Sequence, residues 1–236
     1  MKGKLIVVTG IDGSGKTVQT NLLCKRLKDE GKEVELIDFP QYGNTFFADM
    51  IARYLRGEFN IKNPKSNDTG QLSVSPNPQT INPYLTSLLY AGDRWECKDK
   101  IIAWLADGKI IVSNRYVCCN KAYQGAKINN NAEKEKFFDW LNTLEHEVYG
   151  LPVPDTTIFL HNDLDIALDL IRKRTPREYF KPEESDKSTP DEAEIVKKIK
   201  EKGKKEPKVV KDIHEENIDY LKTVQQMYLD LASREK

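Results

Sequence analysis

The chain has 236 residues, 39% hydrophobic and 31% charged, with 37 basic residues set against 37 acidic ones and a formal net charge of zero. That length suits one α/β domain, and the charge balance argues against a binder of nucleic acid or membrane surfaces, whose affinity rests on surplus Lys and Arg. The apolar content is too high for general disorder, and no apolar run reaches the length of a membrane span.

Lys4–Thr9 is short, apolar and β-branched, as a buried parallel strand should be; its apolar stretch is too short for a signal-peptide core. A glycine-rich turn leads into a helix from Lys16 to about Glu30, with Leu22, Leu23 and Leu27 on one face and Gly31 as its stop. Glu33–Phe39 is a second strand and Phe46–Leu55 a helix, followed by a loop over 57–83 rich in Asn, Pro, Ser and Gly. A long helix is expected from Tyr84 to about Asp107, ended by Gly108. Lys109–Ser113 is the third strand, Phe137–Val148 a helix, Thr156–Leu160 the fourth strand and Asp163 to about Arg174 a helix. Strands alternating with helices predict a three-layer α/β fold, a parallel sheet covered on both faces.

From Thr175 to Lys211 apolar positions give way to Lys, Glu, Asp and Pro. Residues 172–180 read as a lid carrying arginines at its base, and 181–208 as a solvated insertion, helical in part over 190–202. His214 to about Arg234 is an amphipathic helix with Ile218, Leu221, Val224, Met227, Tyr228 and Leu231 on one side. Cys24, Cys97, Cys118 and Cys119 lack metal-finger spacing and read as reduced thiols of a cytoplasmic protein. The histidines His146, His161 and His214 form no catalytic set.

Gly10, Ile11, Asp12, Gly13, Ser14, Gly15, Lys16 and Thr17 match G-x-x-x-x-G-K-[ST] between a strand and a helix. Glycines let the backbone wrap a phosphate, the helix N-terminus favours its charge, Lys16 reaches the β- and γ-phosphates, and the Thr17 hydroxyl ligates Mg²⁺. The pattern leaves GTPases, ATPases and small-molecule kinases open. Asn114, Arg115 and Tyr116 follow the third strand at the edge where open α/β sheets bind ligands, a place for an arginine to hold a phosphate. Tyr90 and Arg94 lie at i, i+4 on one helical face; Phe39 and Pro40 end the second strand, with Tyr42 beyond them. Tyr123 and Gln124 follow Arg115, and Arg172, Arg174 and Arg177 cluster before the charged insertion.

Gly10–Thr17, Asp38–Pro40, Leu88–Glu96, Ser113–Gly125 and Pro154–Asp155, in that order, make the chain resemble the thymidylate kinases, P-loop nucleoside monophosphate kinases. The resemblance implies a single P-loop kinase domain over 1–236, with lid and insertion at about 172–212. It implies ATP and Mg²⁺ with dTMP as acceptor, phosphorylated to dTDP, and a homodimer. The P-loop residues would hold ATP, and Asp12 the deoxyribose 3′-hydroxyl. Tyr90 would stack on thymine, Arg94 read its edge and Arg115 bind the monophosphate, with Tyr123 and Gln124 near the nucleoside. The P-loop carries no arginine, so Arg174 or Arg177 would supply the catalytic one beside Lys16.

Three departures stand out. Asn114 replaces the usual Asp before the arginine, which bears on Mg²⁺. Tyr42 stands where an arginine often binds the monophosphate, with Arg53 or Arg56 as candidate substitutes. The family continues past the last helix into another strand and helix, so the end at Lys236 reads as either a truncated chain or a reduced variant. The alternatives are a kinase for another nucleoside or nucleotide and a P-loop switch that phosphorylates no small acceptor.

Overall fold

The computed structural model describes residues 3–56, 58, 81–173, 214 and 217–234. Four strands, β1 (Lys4–Thr9), β2 (Val34–Asp38), β3 (Ile110–Asn114) and β4 (Thr156–Phe159), form one parallel sheet in the order β2-β3-β1-β4. Parallel neighbours need crossovers, and here these are helical. The helices are α1 (Lys16–Asp29), α2 (Phe46–Leu55), α3 (Pro83–Glu96), α4 (Lys98–Ala106), α5 (Val117–Gly125), α6 (Asn131–Asn142), α7 (Leu164–Lys173) and α8 (Ile218–Arg234). β1 lies between β3 and β4, so the crossovers leave its carboxyl end in opposite directions, and a crevice opens there.

The core gathers Leu5, Val7 and Ile111 of the sheet with Ile101, Phe137 and Leu141 below and Tyr220, Leu221 and Val224 of α8. β4 has one strand neighbour among the described residues and is open to solvent at Thr156, Thr157 and Ile158.

Several elements differ from their sequence-based expectation. On α1 the inward face is Thr20 and Cys24, flanked by Leu23 and Leu27, whereas Leu22 is exposed. At about 100° per residue, positions 20, 23, 24 and 27 share a face that 22 misses. The expected helix over Tyr84–Asp107 is two helices broken at Cys97, with no Pro or Gly to announce it. The bend aims Ile101 into the core while Arg94 points into the site.

α5 was not expected, because Val117–Gly125 mixes small, polar and β-branched residues without an apolar stripe. α6 starts earlier than Phe137, where Asn130 caps the Glu133 N–H at 3.0 Å. Its continuation, Thr143–Val148, is a π-helical turn. The expected insertion helix over 190–202 lies outside the described residues. All four cysteines are free thiols.

Candidate active site

The P-loop leaves β1 and enters α1 at Lys16, so the positive end of the helix faces the crevice. Gly10 (φ 151°) and Gly13 (φ 77°) take backbone conformations unsuited to side chains, and a Cβ on either would strike a carbonyl, that of Leu160 at 2.6 Å for Gly10 and that of Ala167 for Gly13. The loop is thereby pressed against the end of β4 and the first turns of α7. Lys16 Nζ donates to the carbonyls of Gly10 at 3.1 Å and Ile11 at 2.6 Å, which holds the ammonium over the loop.

An open cleft runs along this loop, lined by Gly13, Gly15, Lys16, Thr17, Asn114 and Leu170 among others. Asn114 is buried, and its Oδ1 has no hydrogen-bond partner among the described residues. A buried orphan oxygen that shares a cleft with the exposed Thr17 suits a hard, oxygen-seeking cation such as Mg²⁺. No cluster of three metal-ligating side chains occurs among the described residues.

A second cavity lies against Arg115. Asp12, Phe39, Pro40, Tyr42 and Arg115 line both spaces, so the two meet at the strand ends. Arg115 sits at φ 70°, a left-handed conformation costly for a side-chain-bearing residue and typical of functional positions. Its guanidinium pairs with Asp12, whose other carboxylate oxygen accepts the Tyr123 hydroxyl at 3.0 Å. Burial first, and then the Asp12 charge, push the Tyr123 phenol well above its ordinary range, so it stays a donor.

The loop after β2 is pinned from α3. Asp93 accepts the Gln41 N–H at 3.2 Å and the Thr45 hydroxyl at 2.5 Å, while Thr45 Oγ1 caps α2 at the Ala48 N–H. Burial raises the Asp93 carboxyl to about 6 against the opposing pull of Thr45, Arg94 and Gln41.

At the back of the cavity Tyr90, Arg94, Asn120 and Gln124 line the wall. Gln124 is fully buried, and neither end of its amide has a partner among the described residues; the same holds for Asn120 Oδ1. Orphaned buried amides are costly unless a ligand satisfies them. Arg94 is not solvated: it is 2% exposed and ion-paired to Glu145.

The structure therefore brings Asp12, Phe39, Pro40, Tyr42, Tyr90, Arg94, Arg115, Tyr123 and Gln124 around one cavity and Lys16, Thr17 and Asn114 around the adjoining cleft. Arg53 and Arg56 pair with Glu58 and line neither space. Arg174 and Arg177 lie outside the described residues, and Arg172 is exposed at the end of α7. Sequence reasoning missed Asn120, Asp93 and Glu145. Asn120 stands four residues before Gln124, the one signal that could have found it; Glu145 shares the spacing of Phe137 and Leu141, which marks a helix face but not a role, and Asp93 carries no such signal.

A thymidylate kinase family model matches residues 8–202. The chain belongs to the thymidylate kinase family. Thymidylate kinase of Mycobacterium tuberculosis (strain H37Rv) is 29% identical over 174 residues, 74% of this chain and 73% of that protein. The Schizosaccharomyces pombe thymidylate kinase is 27% identical over 228 residues, 94% of this chain and 93% of its own. The human one is 30% identical over 163 residues, 69% of this chain and 63% of its own. A solved thymidylate kinase from Candida albicans superposes with a TM-score of 0.59 at 22% identity, covering 98% of this chain and 78% of that one, which supports the kinase fold. The cleft beside the thymidylate kinase P-loop and the cavity behind Arg115 thus belong to an α/β kinase.

Proposed function

We propose that this chain transfers the γ-phosphoryl group of ATP to the phosphate of dTMP, giving ADP and dTDP. The observation that carries this is the wall shared by cleft and cavity. Two sites that meet at Asp12 and Arg115 can set a donor phosphate and an acceptor phosphate in line, and positioning of that kind supplies much of the rate.

ATP occupies the P-loop, with Lys16 exchanging its loop carbonyls for phosphate oxygens. Thr17 and Asn114 Oδ1 would hold Mg²⁺, which would supply neutralisation of phosphate charge during transfer. Arg115 turns from Asp12 to the acceptor phosphate. Asp12, still held by Tyr123, then accepts the deoxyribose 3′-hydroxyl. Tyr90 and Phe39 flank the base. Arg94 donors and the Asn120 acceptor meet its edge, and Gln124 satisfies its amide on the nucleoside. Arg174 and Arg177, outside the described residues, would neutralise the transferring group.

The whole of 1–236 is read as one kinase domain with its lid at about 172–212. The enzyme is read as a cytoplasmic homodimer, for which the exposed Phe46, Leu85 and Trp95 of α2 and α3 offer apolar surface. No helix among the described residues is long and apolar enough to cross a membrane. Phosphorus NMR of a reaction containing Mg-ATP and dTMP tests the proposal: new dTDP resonances support it, and ATP hydrolysis with dTMP unchanged refutes it.

A further inference from the structure

Phosphoryl transfer leaves one buried group without a task. Glu145, on the π-helical turn Thr143–Val148, is fully buried. Its carboxylate accepts Arg94 Nε at 2.6 Å and Nη2 at 2.5 Å, and Asn120 Nδ2 at 3.3 Å. Stability alone is a weak reason for such a pair, since apolar residues of similar volume often do as well. A π-helical turn is itself rare and concentrates at functional sites.

The Asn120 amide shows what the carboxylate does. Its Nδ2 donates to two groups that only accept, the Ser87 carbonyl at 3.1 Å and Glu145. The amide therefore has one permitted orientation, with Oδ1 as the atom left for the cavity that Asn120 lines. Arg94 spends Nε and Nη2 on Glu145, and Nη1 is the donor that the carboxylate does not engage.

We propose that Glu145 is a positioning residue that sets the polarity of base recognition, holding an Asn120 acceptor and an Arg94 donor edge toward the cavity. This rests on the cavity being the acceptor site. Thymine and uracil present an N3–H donor beside carbonyl oxygens, which complements that pair. Cytosine presents the reverse, an N3 lone pair beside an amino group, and meets like against like. Through these bonds Glu145 selects keto pyrimidines without touching them, because mismatched buried polar groups are left unpaired.

The test is kcat and KM for dTMP and dCMP in the wild type, Glu145→Gln and Glu145→Asp, with KM for ATP alongside. Glutamine presents an N–H to Asn120 or Arg94, which releases the amide to turn over. The expected result is a fall of at least tenfold in the dTMP-to-dCMP ratio of kcat/KM, mostly through KM, with KM for ATP unchanged. Glu145→Asp keeps the charge that Arg94 needs to fold but cannot reach both partners, and it loses discrimination by a smaller factor. A wild-type ratio in folded Glu145→Gln, or in Glu145→Asp if the glutamine variant does not fold, overturns the proposal while the acceptor site stands. A wild type that turns over no dTMP removes the acceptor site and the proposal with it.

Discussion

Arg115 combines a left-handed backbone, an ion pair with Asp12 and a place on the wall of both cavities. A guanidinium that leaves one anion for another contributes charge-assisted hydrogen bonds, each worth roughly 1.5–3 kcal/mol. Arg115→Ala is therefore expected to raise KM for dTMP by about 10- to 100-fold while KM for ATP moves little, as steady-state kinetics would reveal. Asp93 gives a pH-dependent counterpart. With its carboxyl raised to about 6 by burial, it is ionised at neutral pH and holds Gln41 and Thr45; below about 6 it gains a proton and loosens the Phe39–Tyr42 loop. KM for dTMP should rise as pH falls through 6, partly because the substrate phosphate also titrates there. In Asp93→Asn only the substrate's share of that step should remain; an unchanged profile would clear Asp93 of the role.

Most of these side chains were legible in the sequence, because Gly10–Thr17 and Asn114–Tyr116 carry chemistry at fixed offsets from strand ends. Asp93 and Glu145 were not, since a buried carboxylate looks like a surface one until its partners from distant helices are known.

At the scale of elements, α5 carries much of the acceptor wall, and its C-terminal end is tied to α2. Lys127, just beyond α5, donates to the Tyr54 hydroxyl at 3.1 Å and lies 5.4 Å from the centre of that ring, and burial lowers its ammonium to about 7. In the unfolded chain it titrates near 10.4, so between pH 7 and 10 the unfolded state binds more protons. Stability contributed by this site therefore rises with pH across that window. Lys127→Met should flatten the rise and stabilise the protein at pH 7 by up to a few kcal/mol, each pKa unit being about 1.4 kcal/mol. Chemical denaturation at pH 7 and pH 9 would check both; a destabilised methionine variant at pH 7 would contradict it. α5 itself escaped sequence reasoning because both its faces are occupied, one by the core and one by the cavity, which erases the apolar stripe. The break at Cys97 escaped because an αR residue joins α3 to α4 with no local signal.

For the molecule as a whole, alternation of apolar runs with helical periodicity predicted the parallel sheet, because burial on both faces demands it. The strand order and the meeting of two cavities at Arg115 depend on long-range packing, which one chain's pattern does not display. These two cavities together make a dTMP kinase. The most direct measurement is acceptor-dependent ADP release with Mg-ATP across dTMP, dUMP, UMP, CMP, GMP, AMP and thymidine, for the wild type and Lys16→Ala. The expected result is the highest kcat/KM for dTMP and a loss of roughly 10³-fold or more in Lys16→Ala. ADP release that ignores every acceptor, or that survives Lys16→Ala at full rate, would contradict it.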